Sequence, residues 1–78
     1  MGIEVRIGKL VALYRKQKGY TQEELAYKAD MHPDYIGKLE RGERTPSLKS
    51  LLRLIELLNI SYSNFFKNLE DDPNIGKP

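Results

Sequence analysis

The side chains in this sequence that could do chemistry are one histidine, several carboxylates and a larger set of basic and hydroxyl groups. His32 is the only histidine, and the chain contains no cysteine. Because a protein metal site needs several such ligands together, His32 alone predicts none. No pair of acids is placed with a nucleophile and a base, as an active site would require. We therefore expect no enzyme, no cofactor and no metal.

Basic groups are more frequent in the first part of the chain. Residues 1–50 contain ten basic and seven acidic side chains, whereas residues 51–78 contain three basic and four acidic ones. This distribution favours an anionic partner for the first part. A mixed, solvated surface is the alternative, because the net charge of the whole chain is only +2.

The elements that position these groups must belong to one small domain. A chain of 78 residues with 40% hydrophobic and 31% charged residues has the composition of a soluble globular domain. Without cysteine there is no disulfide scaffold, so packed helices, association of chains or both must supply the core. No stretch is apolar enough to span a bilayer or to act as a signal peptide. We expect no membrane contact and a cytoplasmic location.

Apolar periodicity and capping residues predict five helices. The most complete start signal is Thr21 followed three residues later by Glu24, which is the spacing of a capping box. Another start is His32, with Pro33 in the first helical position. The remaining caps and stops are Gly19, Asp30, Gly42, Ser47 and Ser61.

The second and third predicted helices are joined only by Asp30 to His32. Such a short connection forces a sharp angle between the two helices. No strand pattern and no internal repeat is present. We predict an all-α fold, a compact five-helix bundle, with one domain over residues 1–70 and a flexible C-terminal tail over residues 71–78.

Several separated blocks of the sequence resemble one known family. The blocks are Thr21-Gln22-Glu23-Glu24-Leu25-Ala26, Tyr35-Ile36, Leu39-Glu40-Arg41-Gly42 and Pro46-Ser47-Leu48. From about residue 7 to about residue 66, the chain resembles the phage repressor/Cro-type helix-turn-helix family of XRE-like regulators. Short phage repressors and restriction–modification controller proteins are similar in length and layout. The resemblance implies a lambda-repressor-like DNA-binding fold, with a positioning helix at about 21–29 and a recognition helix at about 33–41 that enters the major groove.

The resemblance makes four residues candidates for base contacts: His32, Asp34, Tyr35 and Lys38. Lys38 can donate to guanine O6 and N7 or to a phosphate, and Asp34 can accept from cytosine N4. A solvated lysine and a carboxylate that stabilises the first helical turn are the alternatives for these two residues. Tyr35 either contacts DNA or covers the edge of the core. His32 is a helix cap, a DNA contact or both.

A second set of residues is expected to contact phosphates: Gln22, Arg41, Arg44, Thr45, Ser47 and Lys49. Gln22 lies at the exposed start of the positioning helix, where the family uses a glutamine to hold a phosphate. The others bracket the loop into the fourth helix, where hydroxyl groups lie beside a helix N-terminus. Glu43 lowers the net positive charge of this segment. For each of these candidate residues, the alternative is a solvated side chain with no DNA contact.

Arg15 and Glu40 match a partly buried ion pair that the family uses to join the first helix to the recognition helix. Two independent surface charges are the alternative.

The last two helices carry more apolar residues than one small core requires. We expect Phe66 to lie in the core and a two-fold dimer interface to form from others. The interface candidates are Leu54, Leu57, Tyr62, Phe65 and Leu69. The resemblance thus implies a DNA-binding transcriptional regulator that acts as a homodimer on a palindromic operator. The alternative is a protein-binding module, such as an antitoxin or a regulator subunit, that uses the last helix to bind a protein partner.

Overall fold

The structure is a computed structural model that describes residues 2–71. Within that range the chain forms five α-helices and no strand. The helices are α1 (Ile3–Gln17), α2 (Gln22–Ala29), α3 (Pro33–Glu40), α4 (Leu48–Leu57) and α5 (Tyr62–Asp71). The predicted all-α, five-helix fold is confirmed. Helix α5 extends one residue into the predicted tail, and the rest of that tail, 72–78, lies outside the described residues.

The helix starts follow from local hydrogen bonds. Thr21 Oγ1 accepts from the backbone N–H of Glu24 at 3.0 Å, and Glu24 Oε1 accepts from the backbone N–H of Thr21 at 2.8 Å. This reciprocal pair is the predicted capping box. His32 caps α3 through Nδ1, which accepts from the backbone N–H of Asp34 at 3.1 Å. Serine hydroxyls cap the next two helices, at Ser47 and Ser61.

The first four helices all end in the same kind of closing turn, with one residue in the left-handed region. At Gly19 and Gly42, φ is +78° and +77°, where glycine has no side chain to clash. After α3, the N–H of Gly42 donates to Leu39 at 3.0 Å and the N–H of Glu43 donates to Lys38 at 2.8 Å. These two bonds form a Schellman motif, which satisfies carbonyl groups that a helix end leaves free.

The core contains apolar side chains from all five helices. The largest fully buried ones are Leu10, Leu25, Ile36, Leu39, Leu54, Ile55 and Phe65. None of the five helices in the described part of the chain is long and apolar enough to cross a membrane.

The predicted roles of three interface candidates are wrong. Leu54 and Phe65 have no exposed surface, and Leu69 is 7% exposed, so these side chains are core and offer little to a partner. Phe66, predicted to lie in the core, is 38% exposed. Adjacent residues of a helix point about 100° apart, and on α5 only one of the two neighbouring rings faces inward. The inward ring is that of Phe65, whose centroid lies 6.2 Å from the ring of Tyr14.

Leu48 is apolar but 67% exposed. It is the first residue of α4 and lies beyond the edge of the core. Leu57, at the other end of the same helix, is half-buried and packs against the core.

Helix α1 is tied to both α3 and α5. A Cβ at Gly8 would lie 2.3 Å from the carbonyl oxygen of Leu39, so only glycine allows the observed approach of α1 to α3. Arg6 donates to the carbonyl oxygens of Leu69 and Glu70 in the last turn of α5. A side chain of the first helix therefore caps the end of the last one.

Candidate nucleic-acid interface

The starts of α2 and α3 lie side by side. They flank a shallow, open depression lined by Arg15, Thr21, Gln22, Glu23, Pro33 and Asp34. Both helices direct the positive ends of their dipoles towards this part of the surface. Only α2 adds free backbone N–H groups, because Pro33 has none and the N–H groups of Asp34 and Tyr35 donate to His32. The arrangement suits an anion such as a backbone phosphate.

One face of α3 packs on the core and the other is exposed. Ile36 and Leu39 are fully buried, whereas His32, Asp34 and Lys38 are exposed. The cap bond occupies Nδ1 of His32, so Nε2 is the nitrogen that a ligand can approach. Asp34 and Lys38 therefore present polar atoms on one exposed face of α3, and His32 presents Nε2 at its leading end.

Tyr35, the fourth predicted base contact, is half-buried and packs against the core. The guanidinium carbon of Arg44 lies 5.7 Å from the centroid of its ring, within the range of a cation–π contact. The stacking orders Arg44 beside α3, where its N–H groups stay exposed at the edge of the helix.

The predicted ion pair between Arg15 and Glu40 is present and is largely shielded from solvent. Arg15 Nε donates to Glu40 Oε2 at 2.7 Å, and Arg15 Nη2 donates to Glu40 Oε1 at 3.0 Å. Arg15 is 9% exposed, and its Nη1 donates to the carbonyl of Tyr20 at 2.7 Å. The pair attaches α3 to α1 with a bidentate geometry that fixes direction as well as distance.

Gln22 is also bound to this pair, a contact that the sequence pattern did not predict. Its Nε2 donates to Glu40 Oε1 at 2.9 Å, so α1, α2 and α3 meet at one carboxylate. The second amide hydrogen and the backbone N–H at the start of α2 are the groups that Gln22 can offer to a phosphate. A residue pair separated by 18 positions has no local sequence signal.

The loop after α3 carries the remaining predicted phosphate contacts. Arg41, Arg44, Thr45 and Lys49 are exposed, while the hydroxyl of Ser47 accepts the cap bond from Ser50 at 3.1 Å. Ser47 therefore contributes mainly to the start of α4.

Arg41 is paired with Glu43, a contact that the sequence pattern did not predict. Arg41 Nε donates to Glu43 Oε2 at 2.7 Å, and both side chains are more than half exposed. The hydrogen bond from Arg41 lowers the pKa of the Glu43 carboxyl, and the same bond raises the pKa of Arg41. Both groups are therefore fully charged near neutral pH.

Residues 2–71 contain no cluster of three or more His, Cys, Asp or Glu side chains that could hold a metal ion.

Comparison with known proteins identifies the family. A family model described as helix-turn-helix matches residues 11–65, which is most of the chain. The chain belongs to the helix-turn-helix family. Its domain is of the XRE type, as the resemblance predicted, and the members it matches are DNA-binding transcriptional regulators.

Two curated relatives show how far the family likeness extends. An uncharacterised helix-turn-helix-type transcriptional regulator of Sinorhizobium fredii, y4dJ, is 30% identical over 73 residues, which cover 94% of this chain and 95% of that protein. The transcriptional regulator SlrR of Bacillus subtilis is 36% identical over 61 residues, which cover 77% of this chain but only 40% of SlrR. The domain thus matches one relative over its full length and a minor part of another.

Among solved structures, the chain is similar to the restriction–modification controller protein C.Esp1396I, solved as a tetramer with its natural 35-base-pair operator. The TM-score is 0.80 at 33% sequence identity, and the match covers 88% of this chain and 91% of that one.

Proposed function

We propose that this chain is a sequence-specific transcriptional regulator that binds a palindromic operator as a homodimer, with α3 in the major groove. The observation that carries the proposal is the exposed polar face of α3, held in place by one carboxylate. Glu40 joins α3 to Arg15 of α1 and to Gln22 of α2, so the helix is oriented before DNA arrives. The similar controller protein, solved on its operator, supports the same use of the fold.

The exposed face of α3 offers a donor and an acceptor for base edges. Lys38 donates to guanine O6 and N7, and Asp34 accepts from cytosine N4. His32 adds Nε2 at the leading end of the helix, which enters the groove first. Tyr35 contributes through its half-buried ring, which supports Arg44 rather than reading a base.

Backbone phosphates are bound on both sides of α3 in this proposal. On one side lie the start of α2 and the amide of Gln22, and on the other lie Arg41, Arg44, Thr45 and Lys49. These contacts set the register of the domain on the duplex and carry no sequence information. Binding should therefore weaken steeply with salt, with a slope of log affinity against log salt near −0.9 for each phosphate neutralised.

The dimer contact is proposed on the exposed side of α5. Tyr62 and Phe66 are separated by four residues and are both exposed, so they share one face of the helix. Leu57 adds a half-buried apolar side chain near the start of α5. Helix-turn-helix dimers bind half-sites roughly 34 Å apart, one turn of DNA, so the proposed two-fold contact must place its two copies of α3 at that spacing.

The test is selection of bound fragments from sheared source DNA, followed by footprinting at two salt concentrations. The proposal expects a short protected palindrome that is lost at high salt. Lys38→Ala should change which bases are preferred, while its matched control Lys49→Ala should weaken every sequence alike. Identical behaviour of the two lysine variants would contradict the assigned roles.

The second candidate is a protein-binding module that uses α5, favoured by the exposed ring of Phe66. Under this candidate the chain stays monomeric, binds DNA weakly and without sequence preference, and loses that binding near physiological salt. The footprinting experiment separates the two candidates directly.

A further inference from the structure

Arg41 lies at the edge of the proposed DNA-binding face, and an acidic residue of the same loop holds it there. Its Nε donates to Glu43 Oε2 at 2.7 Å, and its Nη2 lies 3.5 Å from Glu43 Oε1. Two nitrogens of the guanidinium thus face two oxygens of one carboxylate. A guanidinium presents the same pair of donors to a phosphate.

The position of Glu43 is set by the closing turn of α3. Its backbone N–H donates to the carbonyl of Lys38 at 2.8 Å, and the preceding Gly42 has φ +77°. The Schellman motif fixes the backbone of Glu43 and so holds its carboxylate within reach of Arg41. No long loop has to become ordered for the two side chains to meet.

The guanidinium of Arg41 also folds back over α3. Its Nη1 would lie 3.1 Å from a Cβ at Gly37, and Gly37 is buried although it faces away from the core side of the helix. Arg41 therefore covers the backbone of α3 on one side and contacts Glu43 on the other. Its charge is placed beside the exposed residues of α3 but is already neutralised.

We propose that Glu43 acts as an internal substitute for a DNA phosphate: it occupies Arg41 in the free protein and must be exchanged for a phosphate when DNA binds. This inference rests on the proposed function, because it concerns the affinity of the same surface. Glu43 is then an affinity-tuning residue that weakens binding to all duplexes through Arg41. The exchange replaces one anion by another on Arg41, so loss of the internal pair offsets part of the free energy gained from the phosphate contact.

The size of the effect follows from the exposure of the pair. Both side chains are more than half exposed, and exposed ion pairs change an equilibrium constant by up to about fivefold. Glu43→Gln should therefore raise the affinity for double-stranded DNA by about two- to fivefold. The slope of log affinity against log salt should stay nearly the same, because Arg41 neutralises the same phosphate with and without Glu43.

The experiment is a double-mutant cycle on the full chain with Arg41→Gln, Glu43→Gln and the double variant. Affinities are measured for the selected operator and for an unrelated duplex of equal length between about 50 and 200 mM salt. The inference expects the gain from Glu43→Gln to disappear when Arg41 is already replaced, and it expects Arg41→Gln to make the slope shallower by about 0.9. Glu23→Gln, which makes the same charge change at the exposed start of α2, is the control, and its effect should not depend on Arg41.

The outcomes separate this inference from the proposed function. If Glu43→Gln raises affinity equally with and without Arg41, the carboxylate acts only through net charge and the inference is overturned. If the unaltered chain binds no duplex at low salt, the proposed function fails and this inference fails with it. Thermal melts of all variants verify that each one is folded.

Discussion

The carbonyl oxygen of Leu39 lies so close to Gly8 that a Cβ at that glycine would be only 2.3 Å away. The atom it would meet is backbone, which cannot rotate aside as a side chain can. The spacing between α1 and α3, and thus the placement of the DNA-facing helix, depends on the absence of one methyl group.

Gly8→Ala should therefore destabilise the domain although alanine is the better helix former. We expect a loss of about 2–3 kcal/mol in the free energy of unfolding, since overpacking outweighs the helix propensity gained. Urea denaturation followed by circular dichroism measures it.

Gly37→Ala is the matched control, because it makes the same change in another buried helical glycine. There the added Cβ would meet the flexible guanidinium of Arg41 at 3.1 Å and would lie at an ordinary contact distance of 3.5 Å from Gln22 Oε1. We expect a change within about 1 kcal/mol of zero. Equal losses for Gly8→Ala and Gly37→Ala would show that the close approach at Leu39 does not control stability.

Breaking the pair between Arg15 and Glu40 should be costly. Arg15→Ala leaves a carboxylate that is 6% exposed without its charged partner, and such a loss typically costs about 3–5 kcal/mol. The double change Arg15→Met with Glu40→Leu removes both charges and should recover part of that loss, because Gln22 Nε2 and the Tyr20 carbonyl still lose their partners. A stability loss below about 1 kcal/mol for Arg15→Ala, again by urea denaturation, would rule out a structural role for the pair.

Acid stability should depend on the capping box at α2. The backbone N–H of Thr21 holds the pKa of Glu24 below its ordinary value of 4.5. A carboxyl group whose pKa is lower in the folded than in the unfolded state stabilises the fold at pH values above its unfolded pKa. This contribution is lost as the pH falls through the folded pKa. Glu24→Gln keeps a hydrogen-bond acceptor but cannot titrate, so its Tm should fall less between pH 6 and pH 3.

Glu23→Gln is the control for the capping box, because it removes the same charge one position earlier. Its Tm should fall with acid as that of the unaltered chain does. If Glu23→Gln and Glu24→Gln give the same pH profile, the capping bond contributes nothing to acid stability.

Phe66→Ser should weaken the proposed dimer while leaving the fold intact. The ring of Phe66 is 38% exposed, whereas the neighbouring Phe65 supplies the buried aromatic ring. Loss of an aromatic side chain at the centre of an interface commonly costs at least about 2 kcal/mol, or roughly 30-fold in dissociation constant. Sedimentation equilibrium at micromolar concentration measures the change. Tyr27→Ser removes a ring that is 87% exposed on α2 and should leave self-association unchanged.

Local signals predicted the helices well. The capping box at Thr21 and Glu24 depends on groups three residues apart, and the closing turn at Gly42 needs only a residue that tolerates positive φ. Such features are encoded in neighbouring residues, so a sequence pattern is enough to locate them.

The orientation of individual side chains was harder to predict. Phe65 and Phe66 are equally apolar, and which ring faces inward is decided by the position of α1, where Tyr14 lies. The hydrogen bond between Gln22 and Glu40 depends on tertiary packing. The hydrogen bond between Arg41 and Glu43 depends on the turn that follows α3. Neither bond follows the three- or four-residue spacing that marks a pair on one helix face.

The uniform closing turns have a kinetic consequence. They allow successive helices to be joined by only residues 18–21, 30–32, 41–47 and 58–61, so the chain closes short loops and brings near neighbours together. Helical domains rich in such local contacts fold in microseconds to milliseconds. A ribosome adds a residue roughly every 50–200 ms. Once all five helices have left the ribosome, the domain should therefore fold in less time than the addition of one residue takes, and its concentration in a cell would follow synthesis without a folding delay.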